Sequence, residues 1–395
     1  MYKLTGRIQH YTWGGNTYLP GLLHQSNTEH LPYAEYWLGV HPGGPTTVHL
    51  GQGATTSLAA LVKSDIPRHL GNKVAHQFGG LPFLLKILDV KDMLSIQVHP
   101  TKEMAEIGYA NENEKGIALD AHNRNYKDNN HKPEMMVALS DFWLLHGFSK
   151  DIEHVVSTYD FLKPYLSVYT DGGIKSLYAH LLNLRQEQVD HDLSLHANKI
   201  IPLYQDGKLA KSSPDFWAAR AMLNLCKDGK YDKGIYSIYL MNIVQLQKGE
   251  GVFQGAGLLH AYLEGQNIEL MSNSDNVLRA GLTNKHIDIP ELLAQTSFEV
   301  THPQIIPASF NTGVRRYPSE TKDFMMEGVK LSPGQENRLS YDGPSICLVL
   351  EGDADWKGYS SFKSEGLTAV FVEPNETIVV KASTDLEVFV ATVPA

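Results

Sequence analysis

Apolar and polar positions change their rhythm twice along the chain, and the changes divide it. Residues 1–100 alternate over short stretches broken by glycine. Trp13-Gly14-Gly15, Val40-His41-Pro42-Gly43-Gly44-Pro45 and Gly51-Gln52-Gly53 fall between apolar runs and predict turns between short strands, with one helical piece near Ser57–Leu61. Leu81–Val90 and Leu94–His99 predict two buried strands, and Lys91-Asp92-Met93 between them suits a tight antiparallel connection. From about residue 150 to 230 the spacing becomes helical. Ile152, Val155, Val156 and Tyr159 recur at three and four, and Leu177, Leu181, Leu182 and Leu184 repeat this less cleanly. Ser213-Pro214-Asp215 predicts a helix start, with an N-cap hydroxyl, proline in the first turn and an acid beside it, leading into a helix over Phe216–Cys226. After that the β rhythm returns. Ile235–Gln247 reads as a long strand and Gly249-Glu250-Gly251 as a turn. Ile346–Leu350, Thr368–Val372, Thr377–Val380 and Leu386–Val393 are short strands spaced as in a sandwich or barrel. The reading is a mainly β chain with an α-helical insertion. Residues 1–149 and 231–302 form one discontinuous β domain, 150–230 the inserted helices, and 303–395 a second β module.

Length and charge narrow the function classes. At 395 residues the chain is long enough for two or three domains. With 42% hydrophobic and 20% charged residues it lies in the globular range. The formal net charge of −10 argues against nucleic acid or an anionic membrane as the main partner. Two cysteines far apart, Cys226 and Cys347, support neither a disulfide framework nor a thiolate metal site, and fit a reducing cytoplasm. Met1–Arg7 lacks the apolar core of a signal peptide, and no run approaches the ~18 apolar residues of a membrane span. A cytoplasmic protein, expected as a monomer, follows.

Four segments concentrate chemistry. Gln97 and His99, two apart in a strand, project from one face, as rigid metal ligands must, although a histidine before Pro100 also serves as an ordinary hydrogen-bonded core residue. Asn130-His131-Lys132-Pro133-Glu134-Met135 packs a histidine, an amine and a carboxylate into a few positions; the alternative is a solvated turn. Gly249, Gly255 and Gly257 precede His260 and Glu264 in the spacing of the second half of a cupin signature, with glycine at its usual proline and Glu264 at its usual asparagine. Gln97, His99, Glu134 and His260 would together supply four nitrogen and oxygen ligands, a set suited to zinc or another borderline divalent ion. In the fourth segment, Glu269 to Lys285, Arg279 and Lys285 stand among turn-forming residues. They suit an anionic group such as a phosphate, or else surface ion pairs with Glu269 and Asp275. No phosphate-cradling P-loop, dinucleotide fingerprint or nucleophile elbow occurs, and no histidine follows His302.

Taken together, the chain resembles the type I phosphomannose isomerase family of the cupin superfamily. The resemblance rests on Tyr11-Thr12-Trp13-Gly14-Gly15, Ala34-Glu35-Tyr36-Trp37-Leu38-Gly39-Val40-His41-Pro42, Leu81-Pro82-Phe83-Leu84-Leu85-Lys86 and Leu94-Ser95-Ile96-Gln97-Val98-His99-Pro100. Asn130–Met135, His260-Ala261-Tyr262, Ser274-Asp275-Asn276 and Arg279-Ala280-Gly281-Leu282-Thr283 complete it, in matching order across about residues 1–290. Asn284 stands where the family often has proline. The resemblance implies a cupin catalytic domain, an inserted helical domain and a C-terminal jelly roll. It also implies one zinc per chain on Gln97, His99, Glu134 and His260, and a catalytic arginine at Arg279.

The implied reaction interconverts mannose 6-phosphate and fructose 6-phosphate through a cis-enediol, with Arg279 steadying the developing negative charge. Candidates for the proton-transfer base are the His131/Lys132 pair first, then Asp275, with Glu269 also near in sequence. Ser95, Lys86, Lys285 and Glu269 are candidate substrate contacts. Trp13 and Tyr262 either line the pocket or are buried structural aromatics. Two competing readings are a metal-dependent cupin oxygenase using iron on the same ligands, and a sugar-phosphate-binding protein without catalysis.

Overall fold

A computed structural model describes residues 1–310 and 313–394, and among these it forms three β-sheets with helices packed against them. The middle sheet has eight strands in the order Val314–Tyr317, Met325–Leu331, Leu386–Thr392, Ser345–Val349, Thr368–Val372, Tyr2–Thr5, Thr47–Gly51, Ala54–Ser57. Three N-terminal strands thus complete the sheet begun by the C-terminal third. Ile346 and Leu348 face one core while Cys347 and Val349 face another, so this sheet is covered on both sides. That explains why Ile346–Leu350 is continuously apolar rather than alternating. One cover is a four-stranded sheet, Glu336–Leu339, Ile378–Ala382, Asp353–Lys357 and Ser361–Glu365. The other is the ten-stranded sheet that carries the site.

His260–Ser272 is the hub of that larger sheet. Its first residues pair with Phe142–Phe148 and Ile96–Val98, and its later ones with Phe83–Val90 and Glu134–Ala138. A register shift between Tyr262 and Glu264 makes the exchange possible. Gly265 follows at φ +128°, where a Cβ would stand 2.7 Å from the Asp141 carbonyl oxygen. Only glycine fits there.

Alternation then sorts side chains between core and site. On Ile96–Val98 and Leu278–Gly281, Ile96, Val98, Leu278 and Ala280 pack into the helical core, and Gln97 and Arg279 face the other way. On Phe83–Val90, Phe83, Leu85 and Ile87 pack toward the middle sheet while Lys86 points to the opposite face. Helices Ile152–Thr158, Leu166–Leu182, Gln186–Gln205 and Pro214–Leu225 supply the helical core, and the last starts at Ser213 as the sequence indicates. Ser57 likewise caps the helix Leu58–Ser64.

Two expectations need correction. Gly234–Leu240 is a helix, followed by a strand only over Met241–Leu246. All seven of its residues are buried, so it has no polar face to reveal a helical period. Phe83–Val90 and Ile96–Val98 do not form a hairpin. The Lys91 and Asp92 amides are held by the Trp13 carbonyl, and Ile96–Val98 crosses over to pair with His260 and Leu278–Gly281. Helices Ile66–Leu70, Asn72–Phe78, Lys102–Glu114 and Ile289–Gln295 are additional to those the sequence indicates.

Candidate active site

The crossover of Ile96–Val98 puts Gln97 directly opposite both His260 and Arg279 on neighbouring strands. His99 follows at the strand end. Glu134 opens the strand that pairs with the far half of His260–Ser272. Three segments distant in sequence therefore converge on one buried point, where His99, Glu134 and His260 bring ligand atoms within 4.8 Å of one another. Glu134 lies between the rings, Oε1 3.3 Å from His99 Nε2 and Oε2 3.2 Å from His260 Nε2.

The other nitrogen of each ring is already committed. His99 Nδ1 meets the Asn276 carbonyl at 2.7 Å and His260 Nδ1 meets the Leu258 carbonyl at 3.0 Å. A carbonyl only accepts, so each Nδ1 carries the proton and each Nε2 presents a lone pair. His99 Nε2 and Glu134 Oε2 are buried without a hydrogen-bond partner, a costly state unless something else occupies them. Burial, then Lys132, push His99 down to about 4, which keeps it neutral. Burial alone would raise Glu134, but the Lys132 ammonium opposes it and the carboxyl is held well below its usual range. Two imidazoles that face one point through Nε2, with an ionised carboxylate between them and His99 Nε2 and Glu134 Oε2 left unpartnered, fit a divalent cation. Gln97 adds an amide at 3.4 Å from His260 Nε2.

Beside this cluster opens a cleft of about 1630 Å³. Trp13, Lys86, Ser95, Gln97, Lys132, Asp275, Arg279 and Lys285 line it, so most of the candidate residues meet in one place. Arg279 and Lys285 make no ion pair among the described residues; burial lowers both, and Arg279 lowers Lys285 further. Two uncompensated cations favour an anionic ligand. The turn that leads from the Arg279 strand to Lys285 is fixed by Asp232, whose carboxylate accepts from the amides of Gly234 (2.7 Å), Leu282 (2.9 Å) and Thr283 (3.0 Å).

Other candidates sit apart from the cleft surface. His131 turns away, its Nε2 3.0 Å from Asp323 of the C-terminal third, and is not among the residues lining the cleft. Glu269 and Tyr262 lie beneath the surface. Lys86 donates to Glu269 at 2.9 Å and lies 3.4 Å from Glu35, while the Tyr262 hydroxyl donates to Glu269 at 2.8 Å. Burial would lower Lys86, but Glu269 and Glu35 outweigh it and raise it. Glu264 is drawn outward to Lys211 and Arg220 of the helical segment.

Sequence reasoning gave no role to His41, Glu35, Asn276 or Asp232. His41 Nδ1 accepts from the Gly43 amide at 3.1 Å, so Nε2 carries the proton that it offers Asp275 at 3.0 Å. Glu35 and His41 lie inside Ala34–Pro42, yet their partners Lys86 and Asp275 are remote in sequence, which left no local signal.

Comparison with known proteins agrees with this geometry. Residues 1–151 match the family model described as phosphomannose isomerase type I, catalytic domain. The chain is 36% identical over 386 residues to the mannose-6-phosphate isomerase of Escherichia coli (strain K12), covering 95% of this chain and 96% of that one. It is 31% identical to the mannose-6-phosphate isomerase of Homo sapiens, covering 89% and 88%. A crystal structure of mannose 6-phosphate isomerase from Salmonella typhimurium bound to fructose 6-phosphate and zinc superposes with a TM-score of 0.87 at 31% identity over the whole of both chains. The converging ligand cluster, the cationic cleft beside it and full-length similarity place this chain in the type I phosphomannose isomerase family.

Proposed function

We infer that the protein is a mannose-6-phosphate isomerase, interconverting mannose 6-phosphate and fructose 6-phosphate with one zinc ion per chain. The observation that carries this reading is the buried His99–Glu134–His260 cluster, with His99 Nε2 and Glu134 Oε2 unpartnered, lying beside a cleft lined by Gln97, Lys132, Arg279 and Lys285. We assign zinc to Nε2 of His99, Nε2 of His260, the Glu134 carboxylate and the Gln97 amide oxygen. Bound there, zinc would supply Lewis acidity toward the sugar oxygens.

The chain's residues do the rest. An aldose–ketose shift moves one proton between C2 and C1, and negative charge grows on the carbonyl oxygen as the cis-enediol forms. Arg279, charged at any working pH, offers several N–H donors to that oxygen. Lys132 and Asp275 line the cleft and are our candidates for carrying the proton; His131 is assigned to anchoring the Lys132–Glu134 segment through Asp323. Lys285 and Ser95 are assigned to the phosphate and sugar hydroxyls. Lys86, already engaged by two carboxylates, acts by orienting Glu269 and Tyr262. The helices over 150–230 read as an insertion in the catalytic β domain, with 303–395 as a jelly-roll module. No helix among the described residues is long and apolar enough to cross a membrane. An acidic monomer of the cytoplasm fits the composition.

The test is turnover. Purified protein supplied with mannose 6-phosphate should produce fructose 6-phosphate in a coupled assay, and Lys132→Ala and Asp275→Asn should each slow incorporation of solvent deuterium at C1 or C2. Folded, zinc-loaded protein without turnover would refute the assignment.

A further inference from the structure

Asn276 stands at the join between the metal centre and the segment that leads to Glu134. It is buried, with 1% of its surface exposed. Its backbone carbonyl accepts the Nδ1 proton of His99 at 2.7 Å, and that bond sets both the tautomer and the tilt of the ring. Its side chain does different work. Oδ1 accepts from the amides of Lys127 (2.8 Å) and Asp128 (3.2 Å). Nδ2 faces the Asp128 carbonyl at 2.8 Å, the Asp128 carboxylate at 3.2 Å and the Asn130 carbonyl at 2.8 Å. Ser274 and Asp128 close the loop, since the Ser274 hydroxyl donates to Asp128 at 2.8 Å and accepts from the Asn276 amide at 3.2 Å.

One side chain therefore ties residues 127–130 to the turn that supports His99. Four positions after Asn130 the chain reaches Glu134, which must meet His99 from another strand. No helix or strand covers residues 127–133, so the Asn276 bonds fix the start of that segment, while His131–Asp323 and the Ser272 amide on the Pro133 carbonyl hold its end.

We propose that Asn276 is a positioning residue of the metal centre, holding His99 and the Glu134-bearing segment in mutual register. This rests on the zinc assignment above. Losing the amide frees two backbone donors and two carbonyls and loosens the join between the two ligand-bearing segments, which the Ser274 and Asp275 bonds to Asp128 then hold with fewer contacts. The ligands themselves stay in place, so the loss is one of preorganisation.

The experiment measures zinc affinity on metal-free full-length protein, titrated with Zn²⁺ alone against a chromophoric chelator. Thermal unfolding of the same metal-free samples is followed in parallel. Asn276→Ala is expected to weaken zinc binding by about 10–100-fold. Trp356→Phe, which removes a buried hydrogen bond to Ser364 in the C-terminal module, should lower the melting temperature and leave zinc affinity unchanged. If Asn276→Ala does not fold, Asn276→Ser is measured with the same expectation. A folded variant that binds zinc within twofold of wild type would overturn the proposal while leaving the zinc assignment intact. Wild-type protein that takes up no zinc would overturn both.

Discussion

Replacing Lys86 with methionine isolates the electrostatics beneath the cleft. The methionine keeps most of the side-chain volume and removes the ammonium that lies 2.9 Å from Glu269 and 3.4 Å from Glu35. The Lys86 and Glu269 side chains are 8% and 5% exposed, so Glu269 would remain buried with the Tyr262 hydroxyl as its donor, Lys132 as the remaining cation, and Glu134 and Glu35 as like charges nearby. Breaking a buried pair from one side costs ~3–5 kcal/mol. The lower end applies because Lys86 borders the cleft, where water can enter. With an unfolding entropy of about 2.1 cal/mol/K per residue, a chain of 395 residues loses roughly 4 °C of melting temperature for ~3 kcal/mol.

The pH dependence has a definite sign. In the wild type the Lys86 pKa is raised, so its contribution is full below the ordinary lysine value and fades only as pH rises through the higher native one. In the variant the relevant group is Glu269, already raised by burial, and it loses the cation that opposed the rise. The native state then binds protons that the unfolded state does not, so stability falls as pH increases from about 5 to 8. Urea unfolding at those two pH values, with wild type alongside, reads this directly. Equal midpoints at pH 8, or a deficit of the same size at both pH values, would refute the reasoning.

Further predictions concern the cationic side of the cleft and the metal. Arg279→Ala should lower kcat by about 10²–10³-fold, with zinc content by elemental analysis unchanged. Gly281→Ala would put a Cβ 2.3 Å from the Gly234 Cα at φ +140°, so the turn carrying Lys285 must shift; KM should rise strongly while zinc stays bound. His99→Ala should lose zinc and activity together, and added zinc should restore neither.

The segments that meet at the His99–Glu134–His260 cluster stand out in the sequence because β alternation places i and i+2 on one face, which pairs Gln97 with His99. The glycine spacing before His260 marks another member of that cluster. What the sequence could not display is which remote segments meet. His131 and Lys132 are adjacent and chemically similar as candidates, yet strand entry at Glu134 turns Lys132 to the cleft and His131 to Asp323. The His41–Asp275 and Asn276–His99 contacts join residues from separate loops, and no periodicity encodes them. Gly234–Leu240 misled for a related reason, since a helix buried on every side has the same apolar run as a central strand. Likewise the three-strand N-terminal contribution to the C-terminal sheet is a matter of topology, and Tyr2–Thr5 pairs with Thr368–Val372 across nearly the whole chain.

The most direct test of zinc-dependent isomerisation is mannose 6-phosphate turnover before chelation, after chelation and after zinc is returned. The account predicts activity that disappears with the metal, with the protein still folded, and returns in proportion to zinc up to one equivalent per chain. Full activity in protein verified as metal-free would contradict it.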